Sequence, residues 1–184
     1  GFSAVVTEIA TLTTKGIFNP ANFFSYFTIE TNIFVVVVLL ISAVLTAAKK
    51  NDKIAALRSA ATVFIVIVGI GFAVLLSGIK DAAFTAVPWD NIVLHYIMPV
   101  AVLVDYLIDR PRHKLSFKRN VPWLLVPVVY TAYSLVRGSF VGWYPYPFLN
   151  PTVQSYTSIF VTVFGLLLLG LALTWLTCKL SGKK

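Results

Sequence analysis

Hydrophobic positions form five long runs along the chain, separated by short polar segments. The runs cover roughly residues 22–48, 57–79, 90–109, 121–137 and 155–178. A helix needs ~17–25 residues to cross a hydrocarbon core of about 30 Å, so each run is long enough, or nearly so. The runs also exceed the ~9–11 residues of a barrel strand and lack strict alternation. The pattern therefore predicts an all-α, polytopic membrane helix bundle that forms a single domain over residues 1–184.

The start of the chain, GFSAVVTEIATLTTKG, is a sixth candidate. At ~1.5 Å per residue this segment reaches only about 24 Å. It is either the outer part of a helix whose beginning is missing or a segment that lies on the membrane surface. Because the sequence starts at Gly1 without a methionine, we expect the first alternative. The prediction is six transmembrane helices, the first of them incomplete.

Composition supports a membrane protein and narrows its partners. Charged residues make up 12% of the chain, against about 25% in soluble domains, and the mean hydropathy is +0.86. The net charge of +8 would suit nucleic acid, but the charges fall between the apolar runs, which indicates a role in membrane orientation instead. Cys178 is the single cysteine, so an intramolecular disulfide is impossible and a cysteine metal site is disfavoured. The oligomeric state stays open.

The basic residues alternate between the two sides of the predicted membrane. One side carries twelve of them: Lys49, Lys50, Lys53, Arg58, Arg110, Arg112, Lys114, Lys118, Arg119, Lys179, Lys183 and Lys184. The other side carries Lys15, Lys80 and Arg137. Positively charged loops stay in the cytoplasm, so both termini are predicted to be cytoplasmic.

Prolines and glycines mark predicted features inside the runs. Pro88 and Asp90 are expected to open the run at 90–109, and Pro99 and Pro127 are expected to kink their helices. The GIG stretch at 69–71 offers a surface for close packing within the bundle.

Polar side chains within the runs are the candidate functional residues. Ionisable groups at membrane depth cost ~2.5–3.5 kcal/mol each on insertion scales and by default indicate function; Glu8, Glu30, His95 and Asp105 are of this kind. Thr28 lies about six residues into its run and His95 about five into its own, which places a hydroxyl and an imidazole roughly 8–10 Å below the outer helix ends. A nucleophile and its base need this shared depth.

Structural roles are equally compatible with these residues. A membrane threonine commonly bonds the carbonyl four residues back, and a single histidine commonly links two helices. Glu30 is expected either to be protonated and capped or to face water, and Asp105 is expected to pair with Arg110 or Arg112. Thr28, Thr31 and Asn32 share one helix face, which either lines a polar cavity or joins helices.

Three blocks of sequence carry a resemblance to a known family. FFSYFTIETNIF, then LHYIMPVAVLVDYL and then WYPYPFLNP together resemble the androgen-induced and androgen-dependent (ADTRP-like) membrane protein family, and its bacterial six-helix branch in particular. The likeness covers residues 22–178. It implies an intramembrane threonine hydrolase that cleaves lipid esters, fatty acid esters of hydroxy fatty acids in the human members, and it implies location in a bacterial plasma membrane.

The resemblance also implies roles for individual residues. Thr28 in SYFTIET matches the nucleophilic threonine, and His95 in LHYIMP matches the histidine base. Asp105 occupies the place of a following acid, without an implied role. The last block matches Tyr146, Pro147 and Phe148.

Supporting roles follow from the hypothetical mechanism. Asp90 or Glu30 is a candidate third catalytic group, and Asn32 or Thr31 a candidate oxyanion donor. Trp143 and Tyr144 are expected to cover the entrance. Arg137 is expected to hold a fatty carboxylate. The acyl chain is expected in a groove lined by Phe64, Ile65 and Val68.

Two other functions remain open at this point. The helices interrupted by proline, together with acids at depth, would suit a proton-coupled transporter. A non-catalytic lipid-binding protein is the other alternative. A haem or metal site is disfavoured because His95 is the one histidine within a run, whereas His113 lies in a basic loop; no cofactor is expected.

Overall fold

The computed structural model describes residues 1–47, 54–79 and 85–182, and these residues form helices, turns and connecting segments without strands. Seven helical elements follow in chain order: α1 (Phe2–Thr14), α2 (Pro20–Phe23), α3 (Phe27–Ala47), α4 (Ala55–Leu75), α5 (Pro88–Ile108), α6 (Phe117–Val141) and α7 (Tyr156–Leu180). Six basic residues of the predicted charge bias lie outside the described residues: Lys49, Lys50, Lys53, Lys80, Lys183 and Lys184.

Five of these helices, α3 to α7, are long and apolar enough to cross a membrane. Each corresponds to one of the five predicted runs, so the all-helical prediction is confirmed, and all five runs form helices that are long and apolar enough to be membrane spans. α1 is shorter, at 13 residues, and it contacts α3 and the beginning of α5.

α4 is the centre of the bundle. In the most apolar stretch of α4, 67% of the residues are buried, against 17% in the corresponding stretches of α6 and α7. α4 packs against α3, α5 and α7. Val35 and Val38 of α3, Ile65 of α4 and Val102 of α5 form a core that is almost completely closed to solvent. The weakly buried helices present the apolar surface that a bilayer would cover.

α3 starts five residues later than the run that predicted it. The preceding residues form α2, where the Asn22 N–H donates to the side chain of Asn19 and Pro20 occupies the first turn. The Tyr26 carbonyl then accepts the N–H groups of Ile29 and Glu30 and so opens α3. Thr28 is therefore the second residue of α3, not a residue deep within a helix.

α5 changes its winding in the middle. A π-helical turn spans Val93–Ile97, and the Met98 N–H donates to the carbonyl of Val93, five residues back. Pro99 follows at once and has no N–H to offer the His95 carbonyl. In α6 a 3₁₀ turn, Val121–Leu124, likewise precedes Pro127. The helix type thus changes just before each of the two prolines.

Gly69 allows the close packing predicted for the GIG stretch. A Cβ at this position would lie 2.8 Å from the Pro99 ring and 3.3 Å from the His95 carbonyl oxygen, so only glycine lets α4 approach the π-helical turn of α5 so closely.

The two ends of the bundle differ in their chemistry. The Thr28 end is the one at which α3, α5 and α7 begin. The Arg58 end is the opposite one, at which α4 begins. Arg58 was predicted as a loop residue, but it lies in the first turns of α4 and is 6% exposed.

The connection between α6 and α7 folds back over the Thr28 end. Gly142 ends α6 with φ of 67°, a left-handed conformation that glycine adopts without strain. The chain then turns through the 3₁₀ turn Pro147–Leu149. Tyr146, just before that turn, is buried in the bundle at 8% exposure.

Candidate active site

Thr28 and His95 meet inside the Thr28 end of the bundle. The Thr28 Oγ1 atom lies 3.3 Å from Nε2 of His95, and the two residues are 7% and 6% exposed. The hydroxyl and the imidazole therefore meet, as their predicted shared depth required, but Thr28 lies at the start of α3 rather than about six residues into a helix.

The second ring nitrogen of His95 fixes its tautomer. Nδ1 lies 3.1 Å from the Asn91 carbonyl oxygen, which can only accept a hydrogen bond. Nδ1 therefore carries the proton, and Nε2 presents its lone pair to Thr28. The ring also stacks on Phe72, with centroids 4.0 Å apart and planes 25° apart. This backbone carbonyl holds the imidazole in the orientation that a third catalytic group usually provides.

Tyr146 is the second partner of the Thr28 hydroxyl. Its hydroxyl oxygen lies 3.1 Å from Thr28 Oγ1 and also accepts the Thr28 N–H at 3.1 Å. Burial raises the pKa of Tyr146 to about 12, so the phenol keeps its proton at neutral pH. The ring is fixed by Phe148, stacked at 5.0 Å, and by the edge of Tyr26 at 5.7 Å.

The hydrogen bonds of the three residues form an ordered chain. Nε2 of His95 can only accept, so the Thr28 hydroxyl donates its proton to this nitrogen. Oγ1 of Thr28 is then left to accept the proton of Tyr146. The chain runs from Tyr146 through Thr28 to His95, which directs the Thr28 proton to the base and makes the Thr28 hydroxyl a better proton donor.

The Asn32 amide, a predicted oxyanion donor, instead donates to backbone carbonyls. It is fully buried, and its Nδ2 donates to the Thr28 carbonyl at 2.9 Å and to the Leu94 carbonyl at 3.4 Å. Both amide protons are thus directed to backbone carbonyls, and the residue ties α3 to the π-helical turn. Thr31 is also buried on this face of α3. Thr31 is not among the residues that line the two cavities described below.

The other predicted supporting residues are dispersed. Glu30 is exposed on the outside of α3, so it cannot orient His95. Arg137 donates to the Asn22 side chain at 2.7 Å and lies 5.3 Å from the Trp143 ring centroid. Tyr144 packs its ring against Gly138 of α6.

Two cavities meet at the Thr28–His95–Tyr146 cluster. The first is an apolar cleft of about 90 Å³ between α4, α6 and α7. Val68 lines it as predicted. Phe64 and Ile65 do not, because they pack in the core clusters of α4. All three residues of the cluster face this cleft.

The second cavity is larger, at about 510 Å³, and more polar. It lies between α1, α2 and the connection after α6, and its walls include Glu8, Lys15, Asn22 and Trp143. Thr28, His95 and Tyr146 face it as well. Trp143 thus lines the cavity, whereas Tyr144 is not among the lining residues.

Two buried carboxyl groups meet beside the polar cavity. Glu8 of α1 and Asp90 of α5 are 5% and 0% exposed, and their carboxyl groups lie close to each other. Oε1 of Glu8 accepts the Ala86 N–H at 2.7 Å, while no donor among the described residues reaches Oε2 or either Asp90 oxygen. Asp90 therefore faces Glu8, and His95 is held by the Asn91 carbonyl.

Asp105 and His113 are remote from this cluster. Asp105 and Asp109 accept hydrogen bonds from the Arg58 guanidinium at 2.9 and 2.7 Å. Arg58 of α4, rather than the predicted Arg110 or Arg112, is thus the partner that the structure gives Asp105. His113 lies in the exposed connection between α5 and α6.

The sequence did not reveal what Tyr146 contacts. The third block of the family resemblance, WYPYPFLNP, includes Tyr146. This block gives no indication that Tyr146 contacts Thr28. A hydrogen bond between residues 118 positions apart follows from the tertiary fold alone.

Comparisons of the chain with protein-family models, with curated proteins and with solved structures found no match. The resemblance to the ADTRP-like family accordingly stays a prediction. The geometry of Thr28, His95 and Tyr146 is what the functional proposal must explain.

Proposed function

We propose that this chain is an intramembrane hydrolase of lipid esters, with Thr28 as the nucleophile and His95 as the general base. The observation that carries the proposal is the 3.3 Å contact between Thr28 Oγ1 and the unprotonated Nε2 of His95, with Nδ1 anchored on a carbonyl. A nucleophile beside an oriented base is the arrangement on which covalent acyl transfer depends.

The two cavities support a lipid ester as the substrate class. An apolar cleft next to the nucleophile suits a fatty acyl chain, and a polar cavity on the other side suits the alcohol part of the ester and the attacking water. The resemblance to the ADTRP-like family implies fatty acid esters of hydroxy fatty acids. Lys15 in the polar wall, with Arg137 nearby on Asn22, would suit the free carboxylate of such a substrate.

In each half-reaction, His95 Nε2 takes up one proton and then gives it away. In the first, Nε2 takes the Thr28 proton while Oγ1 bonds to the ester carbonyl carbon. The C–O bond to the alcohol breaks, and the leaving oxygen takes the proton from Nε2. In the second, Nε2 takes a proton from water, the water oxygen bonds to the acyl carbon, and the bond to Oγ1 breaks. Oγ1 then regains the proton, and the fatty acid is released.

We propose the following membrane arrangement for this activity. α1 is the first of six transmembrane helices, the Thr28 end faces the outside of a bacterial plasma membrane, and both termini are cytoplasmic. The distribution of described basic residues supports this orientation. Arg110, Arg112, Lys114, Lys118, Arg119 and Lys179 lie towards the Arg58 end, whereas Lys15 and Arg137 lie towards the Thr28 end.

The described residues favour the enzyme over a proton-coupled transporter. Below Thr28 and His95, the core of Val35, Val38, Ile65 and Val102 is apolar and closed. The buried acids beside the polar cavity are thus separated from Asp105 and Asp109 at the other end. A transport path would need polar groups along the whole length. A non-catalytic lipid-binding protein would not need an imidazole that is oriented towards a hydroxyl.

Labelling with a fluorophosphonate probe for serine and threonine hydrolases tests the proposal. We expect the probe to modify the wild-type protein at Thr28, identified by mass spectrometry of the labelled peptide. Labelling should disappear in Thr28→Ala and persist in Thr28→Ser. In His95→Ala it should slow by about 10²–10⁴-fold, the usual contribution of a general base.

Thr62→Ala is the matched control. Thr62 is another buried helical threonine, and its hydroxyl bonds the Arg58 carbonyl one turn back, so labelling should be unchanged. Equal labelling of Thr28→Ala and wild type would refute Thr28 as the nucleophile. Substrate uptake by reconstituted vesicles without ester cleavage would favour the transporter.

A further inference from the structure

The hydroxyl of Tyr146 is positioned to act on a reacting ester as well as on Thr28. Its oxygen accepts the Thr28 N–H, and its own proton is directed to Thr28 Oγ1, both at 3.1 Å. Stacking on Phe148 and the edge contact with Tyr26 hold the ring in place. The donor is therefore preorganised before any substrate binds.

Ester attack by Thr28 creates negative charge next to this donor. When Oγ1 bonds to the carbonyl carbon, the carbonyl oxygen becomes an oxyanion two covalent bonds away from Oγ1. A donor already 3.1 Å from Oγ1 needs only a small rotation of its O–H bond to reach that oxygen. Such preorganised donors stabilise acyl-transfer transition states because they need no rearrangement as the charge develops.

The other candidate donors at the site are engaged elsewhere. The Asn32 amide donates to the carbonyls of Thr28 and Leu94, and Nδ1 of His95 donates to Asn91. The Thr28 N–H donates to the Tyr146 oxygen. Because this amide belongs to the first turn of α3, it also brings the positive end of the helix dipole to the tyrosine.

We propose that Tyr146 is a catalytic residue whose O–H donates to the oxyanion formed when Thr28 attacks an ester. This inference depends on the proposed hydrolase function. During attack the Thr28 proton moves to His95 Nε2, the carbonyl π electrons move to the oxygen, and the Tyr146 O–H turns from Oγ1 to that oxygen. The phenol keeps its proton throughout, and the Thr28 N–H polarises it by donating to its oxygen.

Tyr146→Phe removes this hydroxyl and keeps the aromatic ring. With p-nitrophenyl octanoate as the substrate, we expect kcat to fall about 10²–10³-fold, as for removal of one oxyanion donor, with little change in KM. Tyr106→Phe is the matched control, because Tyr106 is a buried tyrosine at the Arg58 end whose hydroxyl donates to the Thr177 carbonyl at 2.9 Å. Its kcat should equal that of the wild type.

A second measurement separates catalysis from packing. An octyl trifluoromethyl ketone adds to the nucleophile and carries an oxyanion, whereas octanoate does not form this adduct. We expect Tyr146→Phe to bind the ketone at least tenfold more weakly and octanoate as well as the wild type. A kcat within twofold of wild type, or an equal loss of affinity for both ligands, would overturn the assignment.

Replacement of Tyr146 by 3,5-difluorotyrosine keeps the inference testable if Tyr146→Phe does not fold. The ring and hydroxyl remain, but the phenol loses its proton at lower pH than tyrosine does, and a phenolate cannot donate. The activity of this variant should therefore fall on the alkaline side at a pH where the wild type stays active. Identical pH profiles would contradict the assignment.

Failure of the underlying function gives a different result. If wild type and Thr28→Ala hydrolyse the ester equally slowly, Thr28 is not the nucleophile. If Thr28→Ala is inactive while Tyr146→Phe is fully active, the hydrolase proposal stands and the role of Tyr146 is refuted.

Discussion

The two ends of the bundle differ in how many of their buried polar groups are paired. At the Arg58 end, the guanidinium pairs with Asp105 and Asp109, and Ser59 donates to the Thr177 hydroxyl at 2.8 Å. At the Thr28 end, buried oxygens of Glu8, Asp90, Asn32 and Asn91 have no donor among the described residues, whereas at the Arg58 end this holds for Asn120 Oδ1 at the start of α6.

This difference separates polar groups that stabilise the fold from polar groups that serve a site. Buried polar atoms in native proteins nearly always have partners, and those without one need an explanation. Here, a cavity of about 510 Å³ lies at the same end. Satisfied groups at the Arg58 end connect α4, α5 and α7, whereas the Thr28 end keeps space and spare acceptors beside the proposed nucleophile.

The largest expected effect on stability comes from the carboxylates at the Arg58 end. Asp105→Ala combined with Asp109→Ala leaves a buried guanidinium without a counter-charge, which should cost about 3–5 kcal/mol. Arg58→Met should cost less, because the side chains of Asp105 and Asp109 are 45% and 48% exposed and can be hydrated. Denaturant unfolding in detergent measures both.

The reverse order of these two costs would contradict this interpretation of the ion pairs. Ester hydrolysis by Arg58→Met at a temperature where it is folded should match the wild type, since the two ends are separate.

Gly69→Ala should have an intermediate effect that reaches the proposed active site. The new methyl group would meet the Pro99 ring, and overpacking of this kind costs about 1–3 kcal/mol. Because Gly69 also contacts the His95 carbonyl, we expect the π-helical turn to shift and the hydrolysis rate to fall. Unfolding and p-nitrophenyl ester assays test the two effects.

Gly165→Ala is the matched control for this substitution. A Cβ at Gly165 of α7 meets nothing within 4 Å, so stability should be equal or up to about 1 kcal/mol higher, the gain from replacing a helical glycine. Equal behaviour of the two variants would show that the contact with Pro99 does not constrain the bundle.

Asp90→Asn should have the smallest effect, within about 1 kcal/mol. Asp90 lies beside Glu8, and an asparagine amide supplies a permanent donor of nearly the same shape. Asp90→Leu removes the partner of a buried carboxyl group and should cost more, by about 1–3 kcal/mol. Unfolding of both variants at one pH checks the order, and a larger loss in Asp90→Asn than in Asp90→Leu would contradict it.

The five main spans and the meeting of Thr28 with His95 could be predicted from sequence. Hydropathy fixes which segments are long enough to cross a bilayer. Residue counting places Thr28 and His95 at a common depth, although it takes residue 22 as the start of the helix that begins at Phe27. The start of α3 at Phe27 could not be predicted in this way, because residues 22–26 (NFFSY) mix aromatic and polar residues in the same way as residues 27–31 (FTIET). The cap provided by the Tyr26 carbonyl decides where the helix begins.

The burial of Arg58 and the contact of Tyr146 with Thr28 could not be predicted from the sequence. A charge next to a basic loop is normally exposed, and only the position of Asp105 and Asp109 on another helix reverses this expectation. Likewise, a tyrosine in an aromatic connection resembles an interfacial anchor. Its contact with Thr28 depends on the chain reversal at Gly142.

The position of Thr28, His95 and Tyr146 between two cavities has a consequence for the products of the proposed reaction. These three side chains form a partition with hydrocarbon-like space on one face and water-accessible space on the other. An acylated Thr28 would keep its tail on the first face while hydrolytic water arrives at the second. The freed fatty acid would then leave from the first face, and the alcohol part of the ester from the second.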